Sequence, residues 1–404
     1  LRGAADAIAA ESAALTELII REVGKPRTEA GGEVTRAVNI LNYYAQQVLD
    51  PDGETMPSPD GTSLLLVRRR ARGLVTLITP WNFPIAIPIW KAAPALAYGN
   101  AVILKPAPES TAVALRVAEL VAASLPDHLL QVAPGEAETA QALLRQSDAV
   151  SFTGSERAGA SVAVAAAEAG IPAQCEMGGQ NASIVLADAD LAQAAAQIAG
   201  AAMGYAGQKC TATSRIIVAG DVARFTDALL AATAALPIGD PAEGATQVGP
   251  VIDEGARQRV LDAATEATRD GGRVLSGGSA APGDGWMVQP TLVEGLAPDA
   301  PINQREVFGP FAAILPARDA EEAVTIANGV IYGLVTSVYT KNLGEAMWAM
   351  ERLDTGMVKV NSPTSGVDFY APFGGEKRSS YGPREQGKAA REFYTTTHTF
   401  TIAG

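Results

Sequence analysis

Through residues 1–50, apolar side chains return at three- and four-residue spacing, the period of an amphipathic helix, and the pattern breaks at Gly24-Lys25-Pro26. Two helices are expected there. The character changes over residues 51–72. Pro51-Asp52-Gly53 and Pro59-Asp60-Gly61 are turn signals, and Ser63-Leu64-Leu65-Leu66-Val67 reads as a strand. From Gly73 onward, short apolar runs alternate with helical stretches. Strands at 74–78, 101–105, 130–133 and 150–153 are each followed by a helix, at 88–98, 111–124, 137–145 and 157–169. The strands are apolar throughout, as in parallel strands covered on both faces. The pattern predicts a doubly wound α/β sheet, with any ligand at the carboxyl ends of its strands. A second alternating set follows between 177 and 379, with strands at 183–186, 215–218, 311–315, 335–339 and 357–361. Residues 395–402 alternate as a lone strand, free to pair with the 51–72 hairpin or with another subunit.

Composition narrows the class. The chain has 404 residues, enough for two or three domains, and its 48% hydrophobic and 19% charged content is a globular balance. A net charge of −13 disfavours a basic face for nucleic acid, so no such partner is expected. Prolines interrupt the apolar runs, as in Ile78-Thr79-Pro80-Trp81-Asn82-Phe83-Pro84, and no membrane span is expected. His128, in a Pro-Asp-His turn, and His398, in the terminal strand, are the only histidines. They argue against a His-centred triad or a multi-histidine metal site, and no metal is expected. Cys175 and Cys210 form no disulfide framework, which points to a reducing, cytoplasmic compartment.

Several motifs carry candidate chemistry. Cys210, in Gly207-Gln208-Lys209-Cys210-Thr211, and Glu176, in Glu176-Met177-Gly178-Gly179, read as a nucleophile and a base, with a packed core cysteine as the alternative for Cys210. Asn82, in the turn after strand 74–78, is placed to donate to a developing oxyanion, or is a structural turn residue. Lys105 ends a strand just before a helix and suits a sugar hydroxyl or phosphate, or is simply solvated. Gly154 and Ser155 open a helix where an anion is favoured, although no G-x-G-x-x-G fingerprint is present. Glu306 and Phe308, just before a strand, pair a carboxylate with an aromatic ring suited to a ribose and a flat ring, or are a surface carboxylate beside a core Phe.

In this order, the motifs resemble those of the aldehyde dehydrogenase superfamily over essentially the whole chain. The resemblance implies an α/β fold with a doubly wound parallel-sheet cofactor domain (1–50 and 73–176), an α/β catalytic domain (177–379) and a small β oligomerisation element (51–72 and 395–404). It implies that Cys210 attacks the aldehyde, that Asn82 and the Cys210 backbone N–H form the oxyanion hole, and that Glu176 activates the hydrolytic water. Trp81, Lys105, Pro108, Gly154, Ser155, Met177, Glu306 and Phe308 are the implied cofactor-binding residues. Cys175 matches no nucleophile motif and reads as a packed strand residue. A homodimer or homotetramer is implied. The several-dozen-residue segment that opens relatives is not seen before Leu1, so part of the cofactor domain is expected to be missing.

Departures from the family pattern carry the finer expectations. Glu176 is the residue that coenzyme A-acylating members tend to lack, so the expected product is the free acid. NAD-preferring members often carry a glutamate where this chain has Pro108, which leans the cofactor from NAD toward NADP. Gln180 replaces a usual lysine, and Ser380 stands where most relatives have glycine. The stretch from Val360 to Asp368 and that from Ser379 to Gly387 look like bacterial 2-oxoglutarate semialdehyde (2,5-dioxopentanoate) dehydrogenases. Trp90 and Gly204 occupy the places where succinic semialdehyde enzymes often use arginine, and Arg378 is either a rim candidate for a substrate carboxylate or a solvated surface arginine. A broad-specificity aldehyde dehydrogenase, a non-catalytic binding or structural member, and a thiol hydrolase without redox chemistry are the alternatives.

Overall fold

The computed structural model describes residues 1–403. The chain opens with α1 (Arg2–Ala10), α2 (Ser12–Val23) and α3 (Arg27–Gln47). Three helices stand where two were expected. Glu11 turns the chain between α1 and α2, and its carboxylate accepts from Arg116 Nε at 2.9 Å, a distant polar tie that apolar spacing does not reveal. The expected break is made by Gly24, which closes α2 in the left-handed region at φ 62°, where a side chain would be strained.

The first large sheet is built from β3 (Leu74–Ile78), β4 (Ala101–Lys105), β5 (Leu130–Val132), β6 (Ala149–Thr153), β7 (Ala173–Glu176) and the short β17 (Ser380–Tyr381). Its order is β17-β7-β6-β3-β4-β5, parallel except for β17. The intervening helices are α4 (Ala86–Ala97), α5 (Thr111–Ala122), α6 (Ala137–Leu144) and α7 (Glu156–Ala169). Progression runs from β3 outward to β5, then returns to β6 on the other side of β3. That reversal is a topological switch point, and the crevice it leaves lies beyond the carboxyl ends of β3 and β6. One face of the sheet packs against α1–α5, and the other buries Val150, Phe152, Cys175 and Ala166. Cys175 is a fully buried core residue.

The second large sheet contains β8 (Asn181–Leu186), β9 (Thr213–Ala219), β10 (Arg273–Ser276), β11 (Thr291–Glu294), β12 (Phe311–Pro316), β14 (Val335–Tyr339) and β15 (Met357–Val360), in the order β10-β11-β12-β9-β8-β14-β15. Only the β10–β11 pairing is antiparallel. Helix α8 (Leu191–Met203) links β8 toward β9, and apolar clusters cover both faces. A two-stranded ladder joins β13 (Tyr332–Gly333) to β16 (Glu376–Lys377).

The third sheet is antiparallel: β1 (Gly53–Met56), β2 (Leu64–Ala71) and β18 (Thr395–Ile402). The terminal strand therefore pairs within its own chain, from Thr395 opposite Ala71 to Ile402 opposite Leu64. Gly404, the last residue of the expected oligomerisation element, lies outside the described residues. Among the described residues, no helix is long and apolar enough to cross a membrane.

Candidate active site

The crevice at the switch point holds a cavity of about 490 Å³. The turn after β3 brings Trp81 and Asn82 to its wall, the turn after β4 brings Lys105 and Pro108, and the start of α7 brings Gly154 and Ser155. Met177, Glu306, Phe308 and Cys210 complete it, so every expected site residue except Glu176 lines one space. A neighbouring cavity of about 880 Å³, bordered by α6 and α7, shares Lys105 and Phe152 with it. Ser155 caps α7 by accepting from Ala158 N–H at 3.4 Å. The partial positive end of that helix thus faces the crevice.

Trp81 and Phe308 meet edge to face, with ring centroids 5.7 Å apart. Phe308 holds φ 53°, the kind of strain that persists where surrounding structure over-determines it. Glu306 accepts from the Gly179 N–H at 3.3 Å, and burial pushes its carboxyl up to about 7. A Cβ at Gly178 would lie 1.9 Å from Glu306 Oε2, so a side chain there would push the carboxylate aside.

The segment before Cys210 is locked into an unusual path. Tyr205, Ala206 and Gly207 take φ of 54°, 51° and 66° in succession. Fully buried Gln208 holds the turn by donating to Tyr205 O and Pro250 O, both at 3.3 Å, and accepting from Ile252 N–H at 2.8 Å. Asn181 Nδ2 donates to Cys210 O at 2.7 Å and fixes the loop from the β8 side. Asn82 Nδ2 spends one hydrogen on Gln208 O at 2.9 Å, and its second is left for the cavity that it lines. Cys210 keeps partial exposure on the cavity wall, but protein crowds its sulfur. That burial, with the carboxylates of Glu306, Glu176 and Glu385 adding in the same direction, pushes the thiol up to about 12.

Glu176, at the end of β7, lines neither cavity that reaches Cys210. Its carboxylate accepts from Ser380 Oγ at 2.5 Å, and Ser380 Oγ accepts in turn from the Gly375 N–H at 2.6 Å. Burial holds the Glu176 carboxyl well above its usual range; Glu385 adds to this and the Ser380 bond opposes it. Behind it, Lys91 pairs with Glu385 in the core, Lys91 Nζ donates to Ser151 Oγ at 2.7 Å, and Trp90 Nε1 donates to Glu385 Oε2 at 2.7 Å. Sequence reasoning did not foresee this buried pair. Nearly three hundred positions separate its partners, and neither residue type signals burial.

Cys210 also borders a separate cavity of about 310 Å³, lined by Phe83, Trp90, Phe373 and Val367 together with four charged side chains, Glu29, Glu33, Arg36 and Lys209. Among the described residues, no other is shared between this space and the crevice. Glu33 sits where helix and turn meet: it pairs with buried Lys25 and accepts from the Ile85 and Ala86 N–H groups at 2.8 and 2.9 Å. These bonds seat the start of α4 and the Asn82-Phe83-Pro84 turn before it. Lys25 in turn lies 3.7 Å from the Phe83 ring centroid. Arg378 lines neither cavity and lies on the surface 3.6 Å from Glu156, the solvated alternative to a rim role.

Residues 1–400 match the Aldehyde dehydrogenase family, and the chain belongs to it: an oxidoreductase acting on aldehydes with a nicotinamide dinucleotide. Among curated relatives, it is 39% identical to the alpha-ketoglutaric semialdehyde dehydrogenase of Bacillus subtilis, over 95% of this chain and 80% of that protein. It is 35% identical to the 2,5-dioxopentanoate dehydrogenase of Saccharolobus solfataricus, over 93% of this chain and 80% of that one. Among solved structures, betaine aldehyde dehydrogenase from Staphylococcus aureus in complex with NAD+ is 30% identical, with a TM-score of 0.96, over 99% of this chain and 81% of that chain. The crevice fits such a cofactor on its own terms. It offers a helix N-terminus for the phosphates, the Glu306 carboxylate for a ribose and an aromatic pair beside the thiol.

Proposed function

We propose that the protein oxidises a short ω-semialdehyde, of the kind represented by 2,5-dioxopentanoate, to the free carboxylic acid. The observation that carries this reading is the position of Cys210, the single residue common to the two cavities. The names of the relatives at 39% and 35% identity support the semialdehyde class.

Aldehyde enters the 310 Å³ cavity and presents its carbonyl carbon to Sγ. The Cys210 thiol gives its proton to water, the C–S bond forms as the carbonyl π electrons move to oxygen, and the second hydrogen of Asn82 Nδ2 and the Cys210 backbone N–H receive that oxyanion. A bound oxidised nicotinamide supplies the hydride acceptor and a positive ring that favours the thiolate. Loss of hydride from carbon restores the carbonyl as a thioester on Cys210. Glu176 turns from Ser380 toward the thioester and takes a proton from water. The hydroxide adds, the C–S bond breaks, and the acid leaves. The balance is aldehyde, water and NAD(P)+ giving acid, NAD(P)H and a proton. A carboxyl raised by burial is suited to base catalysis near neutral pH.

Trp81, Lys105, Pro108, Gly154, Ser155, Met177, Glu306 and Phe308 hold the dinucleotide. Pro108 lines the crevice where a carboxylate would repel a 2′-phosphate, and Glu109 next to it is exposed and off the wall. NADP is therefore accepted and preferred. The ratio of kcat/KM for the two cofactors tests this, and a tenfold preference for NAD rejects it. Cys210→Ser is expected to abolish aldehyde oxidation. Glu176→Gln is expected to keep the first-turnover burst of reduced cofactor while slowing steady turnover. Full oxidation by the serine variant, or equal loss of both phases by the glutamine variant, overturns the assigned roles.

A further inference from the structure

We infer that Arg36 receives an anionic group at the far end of the substrate, which makes the 310 Å³ cavity a site for short aldehydes carrying a distal carboxylate. The inference rests on the proposed oxidation at Cys210 and names the group that selects the substrate. Four charged side chains line this cavity. Lys209 is paired with Glu29 at 2.7 Å. Glu33 is paired with Lys25 and also caps α4. Arg36 remains. Among the described residues it makes no ion pair and no hydrogen bond, although its surroundings are partly buried and hold its guanidinium below the usual range.

Arg36 follows Glu33 by three positions on α3, so both project from the same face of the helix. The Glu33 and Asp368 carboxylates attract Arg36 through space, but neither forms an ion pair with it. Lys359 Nζ is committed to Ser365 O at 2.8 Å and to Gly366 O, and Asp368 on the same loop is exposed and forms no ion pair with Arg36. A partly desolvated cation without a partner is costly unless something pairs with it. A guanidinium offers five donors in a planar fork that matches a carboxylate. The other walls, Phe83, Trp90, Phe373 and Val367, suit the carbon chain between the two ends. The volume lies at the low end of the roughly 300–1,000 Å³ of small-molecule sites, which favours a chain of a few carbons over a bulky aldehyde.

The test uses two aldehydes of equal length, 5-oxopentanoate and pentanal, with the full chain and its preferred cofactor. The wild-type protein is expected to favour 5-oxopentanoate. Arg36→Ala is expected to lower that preference by about tenfold or more, mainly through KM, with Arg36→Lys restoring part of it. Glutarate, a dicarboxylate probe, is expected to compete with 5-oxopentanoate in the wild type and to lose that inhibition in Arg36→Ala. An Arg36→Ala protein that keeps the wild-type preference, or that loses both substrates in equal proportion, overturns the role of Arg36 while leaving aldehyde oxidation standing. A wild-type protein that oxidises neither aldehyde overturns the proposed function and this inference together.

Discussion

Ser380 sits opposite Glu176, the residue proposed to activate water, and its hydroxyl opposes the rise that burial and Glu385 impose on that carboxyl. The hydroxyl donates to Glu176 and so favours the charged form, against burial and the Glu385 charge, which favour the neutral one. Ser380→Ala removes the one stabilising side-chain bond and raises the Glu176 carboxyl further. A base has to be deprotonated to act, so the acidic limb of the kcat profile is expected to move to higher pH. A limb that stays in place separates Ser380 from Glu176. The residues that line the crevice were legible in the sequence, because Cys210, Asn82 and Glu306 each stand in a short motif beside glycine or a strand end. What surrounds them was not. Ser380 looked like a departure from glycine, and only the pairing of β17 with β7 sets it beside Glu176. Arg36 carried no motif at all. Its meaning lies in the prior commitments of Glu29, Glu33 and Lys209, which are facts of packing.

At the scale of elements, alternating apolar runs located the long strands of both large sheets to within a few residues. They gave no strand at β10, β11, β13, β16 and β17, and within β7 only Cys175 was read as a strand residue. They also missed polar fasteners. Arg215, inside β9 and 2% exposed, donates to Gln180 O, Ile326 O and Ala327 O, tying the loop after β7 to the helix at Ala320–Asn328. Lys25 and Glu33 fasten α3 to α4 in the same way. Glu33→Ala leaves Lys25 buried without its anion and frees two N–H groups at the start of α4. The expected loss is about 3–5 kcal/mol of unfolding free energy in denaturant titration. A loss below about 1 kcal/mol, typical of a surface pair, refutes the account of that junction.

Over the whole molecule, the small antiparallel sheet stands apart from the two large ones. Its outer strands β1 and β18 leave edges unpaired, and Met56, Leu64 and Ile402 are exposed on it. Uncovered edges invite another chain. We expect the protein to assemble as a homodimer or homotetramer through this sheet, and deletion of 395–404 to give a smaller species in light scattering coupled to size exclusion. A full-length protein that is already monomeric rules this out. The arrangement around the sulfur has a further consequence. Cys210 is met from two cavities that share no other described residue, so a substitution in the lining of one leaves the other's residues unchanged. On the proposed roles, the choice of carbon skeleton and the choice of redox currency can drift separately in descendants of this chain, each retuned without rebuilding the bond-making centre between them.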